Sequence, residues 1–268
     1  MEINEISKKE VSKVIDNTIT EIEKCRDELN RKCDEAAKDI AEFVDNHESI
    51  NEKTEKYLKK IEAKFENKAL KEAMAENPVK PDLSSFDTSN MTDMEWIFHG
   101  CYELQELDLS NFNTSNVTNM KRMFLGCGKL QELNLSSFDT SNVTDMAGMF
   151  NGCNRLQSLD LSNFDTSNVA TMSEMFNECS SLRSLNLSSF DTSDVVDMSN
   201  MFNGCKELEK IVGVLDLAVL DREDAENMFR GCTKLKECHL VNVSDSVTAE
   251  TLGLSQEQFD KFTRGKIL

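Results

Sequence analysis

The chain has 268 residues, with 49 acidic and 30 basic side chains and a formal net charge of −19. This negative balance argues against a nucleic-acid backbone or an anionic lipid surface as the main partner. No apolar run approaches the roughly 20 residues that a helix needs to span a bilayer, so no membrane insertion is predicted. The first residues lack the regions of a signal peptide, which predicts synthesis in the cytoplasm.

Composition divides the chain at its two prolines, Pro78 and Pro81. Residues 1–80 hold 20 acids and 16 bases, net −4, and the remainder holds 29 acids and 14 bases, net −15. All 10 glycines lie after residue 80. We therefore expect two physically different parts, joined by a proline-containing linker and cap at 77–82.

Residues 1–76 are predicted to form a long, coiled-coil-like helix. They contain neither Gly nor Pro, and apolar side chains recur at alternating spacings of four and three, as at Ile15, Ile19 and Ile22. Two interpretations stay open: an oligomeric rod, or a hairpin that turns at 45–49. A single helix cannot bury this seam, so it needs partner copies of the chain, a hairpin or a docking surface.

After Pro81 the sequence repeats every 26 residues. Phenylalanines and cysteines keep this spacing at Phe86, Phe112, Phe138, Phe164 and Phe190 and at Cys101, Cys127, Cys153, Cys179 and Cys205. Repeats of this length are typical of solenoids, propellers or arrays.

Each repeat is predicted to contain a strand, a turn and a short helix. Leu159 and Leu161 alternate as the inward-facing residues of a short strand. After a turn at 165–167, Asn168 is expected to cap a short helix whose inner side carries Val169, Met172, Phe176 and Cys179. Glycines such as Gly152 stand where a left-handed helix end is expected. This is the unit of a leucine-rich repeat.

The string from Leu130 to Cys153, L-x-x-L-x-L-S-x-F-D-T-S-N-V-T-D-M-x-x-M-F-x-G-C, resembles the BspA-like leucine-rich repeats. That family occurs in surface proteins of Bacteroidetes, mycoplasmas, lactobacilli and some protists, where it is associated with adhesion and host-protein binding. The resemblance covers residues 83–240 and implies the fold and a protein-binding role.

The predicted fold class is thus an α+β repeat protein. A leucine-rich-repeat solenoid occupies 83–240, the long helix at 1–76 precedes it, and a C-terminal cap at 241–268 closes it. Pro78 and Pro81 fall on strand positions, so the first strand is expected to be an edge. At the other end, Ser255 is expected to cap a last helix.

The residues that could carry chemistry are interpreted as packing residues. No C-x-x-C pair is present, and one cysteine per repeat predicts a column of buried, reduced thiols. Acids such as Asp139 are too sparse for calcium and suit hydrogen bonding within turns. We expect no metal and no cofactor, and with no catalytic constellation the chain is predicted not to be an enzyme.

The candidate binding site is the set of outward-facing strand positions, on a face expected to be concave. A merely soluble polar face is the alternative, and repeat identity favours it because a tuned site usually differs from coil to coil. The set comprises Glu106, Asp108, Ser110, Glu132, Asn134, Ser136, Ser158, Asp160, Ser162, Ser184, Asn186 and Ser188.

These features predict a non-catalytic attachment or recognition protein. Its repeat head would bind a protein or cell-surface receptor, and its helical stalk would oligomerise or anchor it. A bacteriophage fibre or other virion protein has this organisation, and the predicted location is a virion or the cytoplasm. The alternative is an intracellular or surface-associated protein-binding scaffold.

Overall fold

The computed structural model of the protein describes residues 73, 74 and 76–264. All of them belong to one compact unit that begins at residue 67. The long helix predicted for 1–76 therefore lies, apart from its last few residues, outside the described part of the chain, and its rod and hairpin forms stay predictions.

Six short strands recur along the described chain and pair in parallel. They are β1 (Glu106–Asp108), β2 (Glu132–Asn134), β3 (Ser184–Asn186), β4 (Lys210–Val212), β5 (Leu215–Asp216) and β6 (Leu240–Val241). β1 pairs with β2, β3 with β4, and β5 with β6. In the first two pairs each residue lies opposite the residue 26 positions later, so the sequence period is also the structural period.

The strand predicted around Leu159 is not formed. Residues 156–161 adopt no regular structure and separate β2 from β3. Packing is looser here, because Leu133 and Leu159 are only half-buried, whereas Leu107 and Leu185 are 2% and 1% exposed.

The prediction of a short helix in each coil is wrong. The segment that carries Met172 and Phe176 is a run of turns, and the same is true of its equivalents in the other coils. In the coil before β2, the Met123 amide donates to the Met120 carbonyl over 3.3 Å, and the Cys127 amide donates to the Phe124 carbonyl over 3.1 Å. These are three-residue turn bonds, and an α-helix requires four-residue bonds.

Two left-handed residues in each coil prevent the helix. Arg122 and Gly126, four residues apart, have φ of 54° and 77°, and the pattern repeats at Glu174 and Glu178. Each closes a turn whose third residue needs positive φ. The predicted left-handed glycine is therefore confirmed, although it ends a turn and not a helix.

Amides that a helix would use internally bond instead to the next coil. Met120 donates to the Asp145 carbonyl over 2.9 Å, Arg122 to Ala147 over 2.8 Å, and Phe124 to Met149 over 2.9 Å. The equivalent bonds follow from coil to coil up to Gly204, which donates to Arg230 over 2.8 Å. We call this array of turns and inter-coil bonds the turn ladder.

The core predicted from the repeat is confirmed, because it depends on spacing and not on helical geometry. One column of stacked rings has centroids 5.4 to 5.6 Å apart and contains Phe98, Phe124, Phe150, Phe176, Phe202 and Phe229. A second column, 5.6 to 6.5 Å apart, contains Phe86, Phe112, Phe138, Phe164 and Phe190. Identical side chains stack because each coil places them at the same level.

Two helices close the C-terminal end of the described chain: α1 (Ala249–Leu252) and α2 (Gln256–Thr263). Ser255 caps α2 in a capping box with Gln258, as predicted for this serine. Phe262 on α2 is buried in the core. No helix among the described residues has the length and apolarity that crossing a membrane requires.

Candidate functional site

The twelve candidate binding residues lie on the surface, as their strand positions predict. Glu106 is half-buried and the other eleven are exposed. We call this set, with the outward-facing residues that continue it on β4, the strand face. The leucines between them point inward, so each short strand presents polar groups to solvent and apolar groups to the core.

The structure brings four of the candidate residues together at the N-terminal coils. Glu106 lies opposite Glu132, and Asp108 lies opposite Asn134. The Asn134 side-chain amide donates to Asp108 Oδ1 over 2.9 Å. A depression of about 390 Å³ opens here, and its lining consists of Lys80, Glu106, Leu107, Asp108, Glu132, Leu133 and Asn134.

The depression is predominantly acidic. Lys80 is the one cation among its lining residues, and it forms an ion pair with Glu106. The hydrogen bond and charge of Glu106, with further attraction from Glu132 and Asp108, raise the pKa of Lys80. Because three carboxylates face one ammonium group over a floor of leucines, the depression suits a cationic or amide-rich group of a partner.

Several polar groups on the strand face already have structural roles. The Ser110 amide donates to Asp108 Oδ1 over 3.0 Å, and this bond is the first cause of the lowered pKa of Asp108. Ser136 and Ser188 make the same turn bond to the asparagines two residues earlier. These turn bonds shape the end of each strand and occupy Asp108, so Glu106 and Glu132 are the carboxylates best placed for recognition.

The candidate set does not form one continuous sheet. Ser158 and Asp160 belong to the coil without a strand, and they separate the N-terminal group from Ser184 and Asn186 on β3. The concavity expected for this face stays a prediction.

A column of threonines was missed by the sequence analysis. The Thr140 hydroxyl donates to the Asp165 carbonyl over 2.8 Å and accepts from the Asp165 amide over 2.9 Å. The equivalent residues, all 1–2% exposed, are Thr88, Thr114, Thr166 and Thr192. The signal was an invariant threonine in every Asp/Asn-Thr-Ser turn, which was interpreted as turn chemistry and not as a bond between coils.

The cysteine column is free of disulfides, and it is buried as predicted from its second member onward, whereas Cys101 is half-buried. Each buried thiol of the column donates to a phenylalanine carbonyl of the preceding coil, as Cys179 does to Phe150 over 3.1 Å. Burial raises the pKa of Cys179 to about 12 and the pKa of Cys153 well above its ordinary value. Neutral thiols make poor metal ligands, and residues 73, 74 and 76–264 contain no cluster that could hold a metal ion.

Known proteins share the repeat. A family model described as "Mycoplasma protein of unknown function, DUF285" matches residues 38–160 and 128–243. A solved leucine-rich-repeat protein of T. pallidum (TpLRR) is 22% identical, with 62% of this chain and 72% of that chain covered at a TM-score of 0.41. A leucine-rich-repeat protein from Bacteroides ovatus ATCC 8483 is 17% identical, with 57% and 47% covered at a TM-score of 0.27.

Among curated proteins, none matches the chain. With TM-scores of 0.41 and 0.27, the two solved structures carry no argument about this chain. The family match is different, because it covers well over half of the sequence. The 26-residue repeat, its stacked core and this match together show that the chain belongs to the DUF285 family of BspA-like leucine-rich repeats.

Proposed function

We propose that the chain is a non-catalytic protein-binding scaffold that uses its strand face. The observation that carries this proposal is the acidic depression at β1 and β2. It combines the exposed carboxylates of Asp108 and Glu132 with the half-buried Leu133, and it lies on short strands of a stacked core. Rigid support of this kind keeps the entropic cost of binding low, because few groups need to be ordered.

The partner that fits this depression is a protein surface with a lysine or arginine. Glu132 is exposed and lies opposite Glu106, so an incoming cation would meet both carboxylates. The attraction acts mainly on the rate of association, and salt would weaken it because the groups are exposed.

Site-specific photo-crosslinking tests the proposal in the full chain. A photoreactive phenylalanine derivative replaces Glu132, or, as a matched control, Ala170, which is exposed away from the strand face. In cells that naturally express the protein, we expect a defined protein adduct from position 132 and none from position 170. Equal adducts from both positions, or none from position 132, would exclude the strand face as the binding surface.

A finer proposal places the head on a helical stalk that oligomerises or anchors it, as an attachment protein. It is supported by the apolar seam of residues 1–76. Sedimentation equilibrium of the full chain is compared with the double variant Ile22→Asp, Leu29→Asp. We expect self-association that the variant loses, since carboxylates oppose burial of the seam. A monomeric wild-type chain would contradict an oligomeric stalk.

Location in a virion, for example as part of a bacteriophage fibre, or in the cytoplasm stays a proposal from the sequence.

A further inference from the structure

The strand face changes its chemistry at β4. At the two outward positions of the strands, β1 carries Glu106 and Asp108, and β3 carries Ser184 and Asn186. β4 carries Lys210 and Val212 at the same positions, as its register with β3 shows. Val214, two residues further on, is also exposed. The exposed fractions of the two valines are 39% and 42%.

The segment Val212-Gly213-Val214, which we call the valine bulge, is held firmly. The Leu187 amide donates to the Val212 carbonyl over 2.7 Å, and the Leu215 amide donates to the His239 carbonyl over 3.0 Å. Gly213 has φ of 112°, and a Cβ atom there would lie 2.7 Å from the Leu187 carbonyl carbon. Only glycine fits this backbone, so the two valines are fixed on the surface.

Cations cluster around Glu209 and Glu237, beside the start of β4 and next to the valine bulge in the chain. Lys210 forms an ion pair with Glu237, and Lys236 forms one with Glu209 over 3.0 Å. Lys236 lowers the pKa of Glu209, with further attraction from Lys234 and Arg183. Lys210 lowers the pKa of Glu237, with further attraction from Lys261 and Lys236. Lys234 also forms an ion pair with Glu207 over 2.6 Å. Five cations thus share three glutamates in this region, although the chain as a whole is strongly acidic.

An exposed apolar group with a charged rim is the usual anatomy of a protein-binding patch. We propose that the valine bulge and its cationic rim form a docking site for an extended segment of another protein, which presents an aliphatic side chain flanked by carboxylates. The aliphatic group covers Val212 and Val214, and the carboxylates meet Lys210 and Lys236. The site lies at the opposite end of the strand face from the acidic depression.

This inference rests on the proposed binding role of the strand face, but its test uses other residues. Phage-displayed random dodecapeptides are selected on the immobilised full chain, and binders to the double variant Val212→Asn, Val214→Ser are discarded. These replacements are the polar residue types that the regular coils carry on this face, so the variant is expected to fold. Its melting temperature, compared with that of wild type, checks this.

We expect enriched peptides with Leu, Ile, Val or Phe within three positions of Asp or Glu. Their affinity, measured by fluorescence anisotropy with labelled synthetic peptides, should fall at least tenfold in the double variant. It should also fall at least threefold in Lys210→Gln, Lys236→Gln.

The matched control is Val196→Thr, because Val196 is exposed outside the valine bulge and two other coils have Thr118 and Thr144 at its position. The affinity of the selected peptides for Val196→Thr should stay within twofold of their affinity for wild type. The proposal is overturned if no peptide is enriched, if enriched peptides lack acids, or if Val196→Thr weakens binding as much as the double variant. A negative result in the peptide selection does not change the crosslink expected at position 132, so the two experiments test the two proposals separately.

Discussion

The two sides of each coil differ in how they hold their neighbours. On the turn ladder, every second amide bonds to the next coil, and this pattern continues from Met94 to Gly204. On the strand face the pairing is discontinuous, because 156–161 form no strand between β2 and β3. Cohesion between coils therefore depends mainly on the turn ladder and the core beneath it. The strand face is then free to change its side chains, as it does at β4.

The largest expected effect comes from removing a ring of the inner phenylalanine column. Phe150 is fully buried and stacks on Phe124 and Phe176. Phe150→Ala should lower the free energy of unfolding by about 3–5 kcal/mol, because it loses apolar contacts and leaves a cavity. Urea denaturation monitors the loss. Leu159 is half-buried and lies where the strands are interrupted. Leu159→Ala should therefore lower the free energy of unfolding by less than about 2 kcal/mol, the lower limit for buried leucines. Equal losses of unfolding free energy in the two variants would show that the strand face contributes as much to cohesion between coils as the core beneath the turn ladder does.

A smaller effect is expected from the threonine column. Thr140→Val keeps the volume but removes the donor and the acceptor that the Asp165 backbone uses. Leaving these backbone groups buried and unpaired should cost about 1–3 kcal/mol. Thr144→Val is the matched control, since Thr144 is exposed and the one bond its hydroxyl makes goes to the Thr118 carbonyl over 3.1 Å. Its change in unfolding free energy should stay within about 0.5 kcal/mol. Similar values for both variants would refute the threonine column as a structural element.

The cysteine column predicts a loss of stability at alkaline pH. The pKa of Cys179 is about 12 in the fold and has an ordinary value of 9.0. Between these values the unfolded chain has lost this proton and the folded chain has kept it, so stability falls as pH rises. The expected slope is about 1.4 kcal/mol per pH unit for each such thiol.

Urea titrations under reducing conditions at pH 7.5, 9.5 and 10.5 measure this slope. Cys179→Ala should have a shallower slope than wild type, by the contribution of one thiol. Only the slopes are compared, because the lost volume lowers stability at every pH. Identical slopes would mean that Cys179 titrates alike in both states.

The smallest effect distinguishes two carboxylates of one coil. Asp139 lies on the outer turn, where hydrogen bonds from Ser141 lower its pKa. Asp145 lies at the turn ladder, where partial burial raises its pKa against the opposing effects of the Ala147 amide and Lys121. Carboxyl-carbon NMR should therefore show Asp139 titrating below Asp145. Ser141→Ala should raise the midpoint of Asp139 and leave that of Asp145 unchanged. The reverse order of midpoints would contradict the placement of the two side chains.

The sequence predicted the repeat, the core and the chemistry of the cysteines, because all three depend only on spacing. It predicted the wrong backbone for the turn ladder. Val169, Met172, Phe176 and Cys179 are spaced as on a helix, and they are indeed buried, but a stack of identical coils offers each amide a carbonyl in the next coil. Such non-local bonds leave no periodic signal. A hint existed at the middle position of each turn run, where Gly148 and Asn200 tolerate positive φ.

For the candidate site, the sequence predicted which residues are exposed but not the shape of the surface that they form. Alternation placed its residues on the surface, and the structure agrees. The depression at β1 and β2 could not be predicted, because it depends on the ion pair between Lys80 and Glu106 and on the distance between neighbouring coils. The sequence pattern gave the valine bulge no functional interpretation. Its departure from the template was visible, but its exposure was not.

Residue-resolved hydrogen exchange of the full chain tests the central claim most directly, because the claim concerns where the inter-coil bonds lie. We predict strong protection at the turn-ladder amides that donate to the next coil, such as Phe124, Phe150 and Phe176, and fast exchange at Ser158 and Asp160. Protection that is equally strong at Ser158 and Asp160, or fast exchange along the turn ladder, would contradict the account.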